Sequence, residues 1–176
     1  MAINEREFRD ALGQFATGVA VVTSELDGVR MGMTVTSFNA VSLSPPLVLF
    51  SIARNAQSFD LWHRTTAFAV TVLREGQSSL SNKFARAGGN KWHDVDVAKG
   101  VTGSPLLPEC LVCFECMVHA RHDGGDHEIV VGHVIRLGLD ARHSPGPLLF
   151  YGGRYRALST EGGYGTGPGD TWLHAW

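Results

Sequence analysis

At 176 residues, with 44% hydrophobic and 18% charged side chains, the chain has the size and make-up of one water-soluble domain with a substantial core. A formal net charge of −2 excludes a global attraction to nucleic acid, and no apolar run approaches the roughly 20 residues that cross a bilayer. Met1–Glu7 is acidic and polar where a secretory signal would be basic and then apolar, so a cytoplasmic protein is expected, touching neither nucleic acid nor membrane.

Phe8, Leu12 and Phe15 recur at helical spacing beside Ala11, which predicts a short amphipathic helix over 4–14, broken at Thr17-Gly18. Val19–Ser24 is a continuous apolar run of strand length, and Asp27-Gly28 is the turn pair that returns it through 31–37. Pro45-Pro46 ends one segment and sets the entry to a strand over 47–52, because proline has no N–H to give a ladder. A helix is predicted over 55–64 with Phe59 and Trp62 on its apolar side, then a strand over 67–73. A second helix follows over 78–87, opened by serine and closed by Gly88-Gly89.

Residues 88–109 carry no regular pattern. Strands over 111–121 and 128–137 flank Asp123-Gly124-Gly125-Asp126 as a long hairpin, and a last strand over 148–158 is interrupted at Gly152-Gly153. Many strands with two or three short helices predict a mainly β fold, a barrel with helical decoration rather than alternating βαβ units. No Gly-x-Gly-x-x-Gly follows the first strand, which argues against a Rossmann nucleotide site. The expected division is a domain over 1–158 and a Gly-rich tail over 159–176 in which Trp172 and Trp176 are the large apolar groups.

Cys110, Cys113, Cys116 and His119 are spaced by three, on paper a metal or iron–sulfur run. In a strand, however, Cys113 and His119 point one way and Cys110 and Cys116 the other, so four ligands cannot converge on one ion and no metal site is expected. The odd count of three cysteines also suits a reducing compartment. Among the eight histidines only His127 stands out, closing Gly125-Asp126-His127 where glycine lets backbone approach a flat ligand that an imidazole can meet. A turn aspartate with a neighbouring packed histidine is the plainer alternative.

Asn55 and Ser58 open a predicted helix, whose free N–H groups and dipole favour an anion, with Arg54, Lys83 and Arg86 as full positive charges nearby. Thr34, Thr36 and Ser37 add hydroxyls on an extended segment. Capping and strand propensity explain the same residues without a ligand.

Eight segments in order carry a family resemblance over about residues 6–158. They are Phe15-Ala16-Thr17-Gly18-Val19, Gly32-Met33-Thr34-Val35-Thr36-Ser37-Phe38, Ser42-Leu43-Ser44-Pro45-Pro46-Leu47, Asn55-Ala56-Gln57-Ser58-Phe59, Ala69-Val70-Thr71-Val72-Leu73, Lys83-Phe84-Ala85, Gly125-Asp126-His127 and Gly152-Gly153-Arg154-Tyr155. In this arrangement the chain resembles the flavin reductases that supply two-component monooxygenases. The resemblance implies an FMN-binding split β-barrel, usually a homodimer with flavin near the subunit interface. It also implies hydride transfer from NADH, or NADPH, to FMN or FAD, for delivery to a partner oxygenase.

Carried over by position, Thr34, Val35, Thr36, Ser37 and Ser51 would line the flavin ring and ribityl chain. Asn55, Ser58, Phe84 and Ala85 would border its phosphate side, with Arg54, Phe59 and Lys83 as further cofactor-binding residues. His127 would face the nicotinamide as the catalytic residue, and Arg154 and Tyr155 would help to hold the dinucleotide. The absence of a recognisable basic pocket for a 2′-phosphate leans toward NADH. The cofactors bring the redox chemistry, so the missing triad and metal are no objection. Two rivals are a flavin-holding electron carrier on the same fold and a non-enzymatic metal-binding domain.

Overall fold

The computed structural model describes residues 3–139 and 146–159. Helix α1 (Glu5–Leu12) opens the chain, capped by the Asn4 side chain, which accepts from the Arg6 N–H at 2.8 Å. Strands β1 (Thr17–Gly18), β2 (Ala20–Leu26), β3 (Val29–Val35), β4 (Asn39–Leu43) and β5 (Pro46–Ala53) follow, then α2 (Phe59–Arg64), β6 (Ala67–Val72) and α3 (Ser78–Ala85). Two short strands, β7 (Ala98–Lys99) and β8 (Pro105–Leu106), precede the long pair β9 (Val112–Gly124) and β10 (His127–Leu139). The last strands are β11 (Leu149–Tyr151) and β12 (Arg154–Arg156).

One antiparallel sheet carries the fold, in the order β3-β2-β6-β9-β10-β5-β4. Its edges β3 and β4 are not paired with each other, so the barrel is split rather than closed. The sheet is nevertheless curled, because β2, β3, β5, β6, β9 and β10 all send side chains into one interior with Phe50, Trp62 and Phe68 at its centre. Phe50 meets Phe68 edge-on at 5.0 Å and Trp62 at 5.7 Å. Alternation along β2 explains its uninterrupted apolar run. Ala20 and Val22 face this interior, while Val19 and Val21 pack outward against Phe84 of α3, Leu73, Leu107 and Leu148.

Several boundaries differ from the sequence reading. The helix expected over 55–64 begins only at Phe59, because residues 54–58 are turns, and Asn55 therefore sits outside any helical first turn. Ser58 flanks α2 without a side-chain cap bond. α3 starts at Ser78 with Gln77 as its cap and ends at Ala85, where Arg86 turns extended; Gly88 and Gly89 lie beyond the end rather than capping it. The return strand stops at Val35, leaving Thr36 and Ser37 in a connection, and β4 has no counterpart among the expected strands. The β9–β10 ladder runs to Gly124 and His127, so its loop is only Gly125-Asp126, with Gly125 at φ +74°.

The expected amphipathic helix forms, but its apolar stripe is uncovered: Phe8 and Leu12, with Phe15 just beyond the helix end, are 53%, 57% and 74% exposed, and no residue of the helix is buried. The tail from residue 160 onward, with Trp172 and Trp176, lies outside the described residues. Among the described residues no helix is long and apolar enough to cross a membrane.

Candidate functional site

A cleft of about 380 Å³ runs along β3, between the turn at 56–58 on one side and the segment 84–92 on the other. Thr34, Ser58, Phe84 and Ala85 all line it. Thr34 donates its hydroxyl to the Ser81 carbonyl at 2.6 Å, which ties β3 to α3 and fixes that edge of the cleft. Phe84 is fully buried and meets Trp92 edge-on at 5.0 Å, forming an apolar floor. This close approach depends on Gly32, since a Cβ there would lie 2.5 Å from the Phe84 ring.

Arg54, Phe59 and His127 gather at one end of β5 and β10, beside this cleft. His127 is opposite Ala53 in the ladder, and the Arg54 N–H donates to the Asp126 carbonyl at 2.9 Å. The Arg54 guanidinium donates to Asp123 at 2.7 Å and to the Gly125 carbonyl at 3.1 Å, and it lies 5.8 Å from the Phe59 ring centre. The hairpin tip is thus clamped to the turn that reaches the cleft through Ser58. His127 Nδ1 lies 2.7 Å from Asp126 Oδ1, and this hydrogen bond and the imidazole's charge hold the Asp126 carboxyl below its ordinary range. With Nδ1 committed to Asp126, Nε2 is the ring nitrogen left for a ligand.

Ser37, in the connection after β3, reaches β5: the Ser51 N–H donates to Ser37 Oγ at 3.0 Å. Tyr155 docks from β12 onto α3, its hydroxyl 2.9 Å from both Ser81 Oγ and Asn82 Oδ1. The remaining expected residues are less central. The Val35 side chain belongs to the buried interior, so only its backbone can face a ligand. Thr36 borders a separate hollow of about 560 Å³ with Gly13, Phe15, Phe150 and Gly152. Asn55 is exposed on its turn, and Arg154 is exposed at the start of β12. Lys83 lines neither cleft nor hairpin tip; its ammonium donates to the His93 carbonyl, beside a polar hollow on the far side of α3.

Lys91 and Trp92 went unread because they fall in the stretch without a pattern. Lys91 is half-buried, donates to the carbonyls of Phe84 at 3.1 Å and Gly32 at 3.2 Å, and has its pKa lowered by desolvation. Trp92 donates Nε1–H to the Arg30 carbonyl at 3.1 Å and walls the cleft. A lysine-tryptophan pair after two glycines was the available signal.

Two other polar groups are structural. Glu128 is buried behind His127, 2.7 Å from Arg121 and 2.8 Å from His63, and Arg121 also donates to the Trp62 and Thr65 carbonyls at the end of α2. Burial raises the Glu128 carboxyl, but the hydrogen bonds and charges of His63 and Arg121 outweigh it and hold it low. Cys113 and Cys116 are buried, which pushes their thiols up to about 11 and about 12, the state least suited to metal ligation. Among the described residues no group of three or more His, Cys, Asp or Glu is arranged to hold a metal.

Residues 12–159 match the family profile described as flavin reductase like domain. FMN reductase (NADH) SmoA of Agrobacterium fabrum is 44% identical over 159 residues, spanning 90% of this chain and 88% of that one. The reductase subunit HsaB of a flavin-dependent monooxygenase from Rhodococcus jostii is 39% identical over 160 residues, 91% of this chain and 81% of its own. Among solved structures, a nitrilotriacetate monooxygenase component B from Mycobacterium thermoresistibile superposes with a TM-score of 0.88 at 36% identity, covering 96% of each chain. The NADH:FAD oxidoreductase SgcE6 of Streptomyces globisporus, solved with NAD and FAD fragments, gives 0.83 at 35% identity over 92% of this chain and 99% of that one.

Proposed function

This chain belongs to the flavin reductase family, and from that premise we propose that it is an NADH-dependent flavin reductase. It transfers hydride from NADH to FMN or FAD and supplies the reduced flavin to a separate monooxygenase. The observation that carries this reading is the 44% identity, across 90% of the chain, to an FMN reductase (NADH). The cleft fits a flavin by its own chemistry: an apolar floor of Phe84 and Trp92, hydroxyls of Thr34 and Ser58 at its edge, and no carboxylate in its lining to repel a phosphate.

When bound, the nicotinamide gives hydride and the flavin takes it, so the protein's part is placement and electrostatics. Thr34, Thr36, Ser37 and Ser51, with the backbone of Val35, border the ring and ribityl chain and offer donors to the charge that develops on reduction. Ser58, Phe84 and Ala85 form the phosphate side, with Arg54, Asn55 and Phe59 at its margins, while Lys83 faces the far side of α3 and takes no part in it. His127, oriented through Nδ1 by Asp126, presents Nε2 to the nicotinamide, while Arg154 and Tyr155 steady the dinucleotide. Residues 1–158 constitute the reductase domain, and 159–176 are an appendage to it.

The working unit is a homodimer. Phe8 and Leu12 on α1, Phe15 just beyond it, and Ile135, Leu137 and Leu139 on β10 are large apolar groups left exposed, and burial of such groups against a second copy supports this reading. Steady-state NADH oxidation tests the proposal: the rate saturates with free FMN or FAD. A rate indifferent to added flavin, from protein that keeps its flavin through gel filtration, would favour the electron carrier instead.

A further inference from the structure

Phe59 and His63 stand one turn apart on α2, and their rings stack, with centres 5.8 Å apart and planes 26° from parallel. Each ring has a second partner. Arg54 lies 5.8 Å from the Phe59 ring centre, and Glu128 Oε2 lies 2.8 Å from His63 Nδ1. Glu128, Arg121, His63, Phe59 and Arg54 therefore form one continuous row, and its two ends are fixed to different degrees. The Glu128 side chain is 5% exposed and its other oxygen takes the Arg121 guanidinium at 2.7 Å, which makes it a rigid point at the end of the barrel. Arg121 also donates to the Trp62 and Thr65 carbonyls, so the C-terminal end of α2 is pinned to β9. Arg54, at the other end, is exposed and grips Asp123 and the Gly125 carbonyl at the hairpin tip that carries His127. An exposed arginine on an exposed aspartate holds little by itself, and the Phe59 ring is what restricts this guanidinium.

Arg121 alone neutralises the Glu128 carboxylate, so the bond from His63 is not needed for charge balance. What it adds is direction, because it fixes the plane of the imidazole on which Phe59 rests. We propose that His63 is a positioning residue of the nicotinamide site: anchored on Glu128, its ring sets Phe59, Phe59 sets Arg54, and Arg54 holds the hairpin tip so that His127 Nε2 meets the nicotinamide. This assignment rests on the reductase reading for the role of His127, whereas the row from Glu128 to the hairpin tip does not depend on it. α2 stays pinned through Arg121 when His63 is changed, so Ser58 and the β3 cleft keep their places and flavin affinity should not follow.

Steady-state NADH oxidation by the full chain, with calorimetric flavin titration beside it, is the test. His63→Asn keeps a donor for Glu128 but takes the ring away from Phe59. It should raise the KM for NADH about fivefold, with kcat and flavin affinity changed less than about twofold. His63→Ala loses donor and ring together and should show the same KM at a lower Tm. A KM that tracks Tm across the two variants marks a merely structural residue and overturns the proposal, as does a loss of flavin affinity equal to the rise in KM. In a His127→Ala background His63→Asn should add nothing to the KM, since its effect passes through His127, and additive losses also overturn the proposal. Hydrogen exchange gives a readout that needs no reaction. The Arg54 N–H, which donates to the Asp126 carbonyl at 2.9 Å, should exchange at least about threefold faster in His63→Asn, while amides in the middle of β10 keep their rates. An unchanged Arg54 rate with an unchanged KM removes the clamp and leaves the reductase standing. Faster exchange, where the unaltered protein oxidises no NADH, removes the reductase and with it the nicotinamide role.

Discussion

Gly32→Ala probes the packing that shapes the cleft. A Cβ at this position would sit 2.5 and 2.6 Å from two carbons of the Phe84 ring and 3.1 Å from Trp92. The ring has nowhere to retreat, because it is fully buried among Val19, Val21, Leu73, Leu107 and Leu148 and edge-on to Trp92 at 5.0 Å. Overpacking of this kind costs about 1–3 kcal/mol, and a chain of this size loses about 2–4 °C of Tm per kcal/mol, so a fall of about 2–12 °C is expected. Displacing Phe84 also closes the cleft floor, and flavin affinity should drop by about tenfold or more, some 1.4 kcal/mol. Gly132→Ala is the matched control. Its Cβ would lie 2.3 Å from the Phe68 ring, in the interior and away from the cleft, so it should lose comparable stability and keep its flavin affinity. Urea unfolding read alongside calorimetric flavin titration decides the matter. A Gly32→Ala protein with unchanged midpoint, or two variants that lose flavin affinity equally, would refute the reasoning.

His127→Ala should raise the KM for NADH by about tenfold while leaving flavin affinity near its original value; equal loss of both would remove the nicotinamide role. Glu128→Gln should cost about 3 kcal/mol at neutral pH, the lower end for a broken buried pair because Arg121 keeps two carbonyl acceptors. Since the Glu128 carboxyl is held below its ordinary value of 4.5, its contribution is present above that pH and is lost as pH falls through the lowered value; the variant's unfolding midpoint should lack that acid-side decline. Cys113 and Cys116, raised to about 11 and about 12, should resist thiol reagents until the chain unfolds, and should erode stability only as pH climbs above 9.0 toward those values. Phe8→Glu with Leu12→Glu should shift the sedimenting species from dimer to monomer, and an unaltered protein that sediments as a monomer would contradict the homodimer.

Strand content was legible because its signals are local. Asp27-Gly28 closes the β2–β3 hairpin with both residues at positive φ, as the turn pair requires, and the apolar run of β2 is buried on both faces as its lack of alternation implied. The helix over 55–64 was overextended for a complementary reason. Phe59 and Trp62 carry the periodicity, but the Ala56 and Phe59 N–H groups bond three residues back, to the Ala53 and Ala56 carbonyls, and the backbone stays in turns until Phe59. Within the site, Thr34, Ser58, Phe84 and Ala85 do meet in one cleft, and Arg54 does reach His127's hairpin. Lys91 and Trp92 were missed because nothing periodic marks 88–109; their roles come from long-range hydrogen bonds to β3 and α3 that no local pattern encodes. The exposed face of α1 has the same lesson in reverse. Its spacing correctly gave an apolar stripe, but among the described residues nothing covers that stripe.

The central claim is catalytic transfer of hydride to exchanging flavin. Anaerobic mixing of a trace of protein with NADH and a large excess of free FAD or FMN tests it most directly. Bleaching of the whole flavin pool, at a rate proportional to protein, is the predicted result; bleaching that stops at one equivalent per protein, or none, would contradict it.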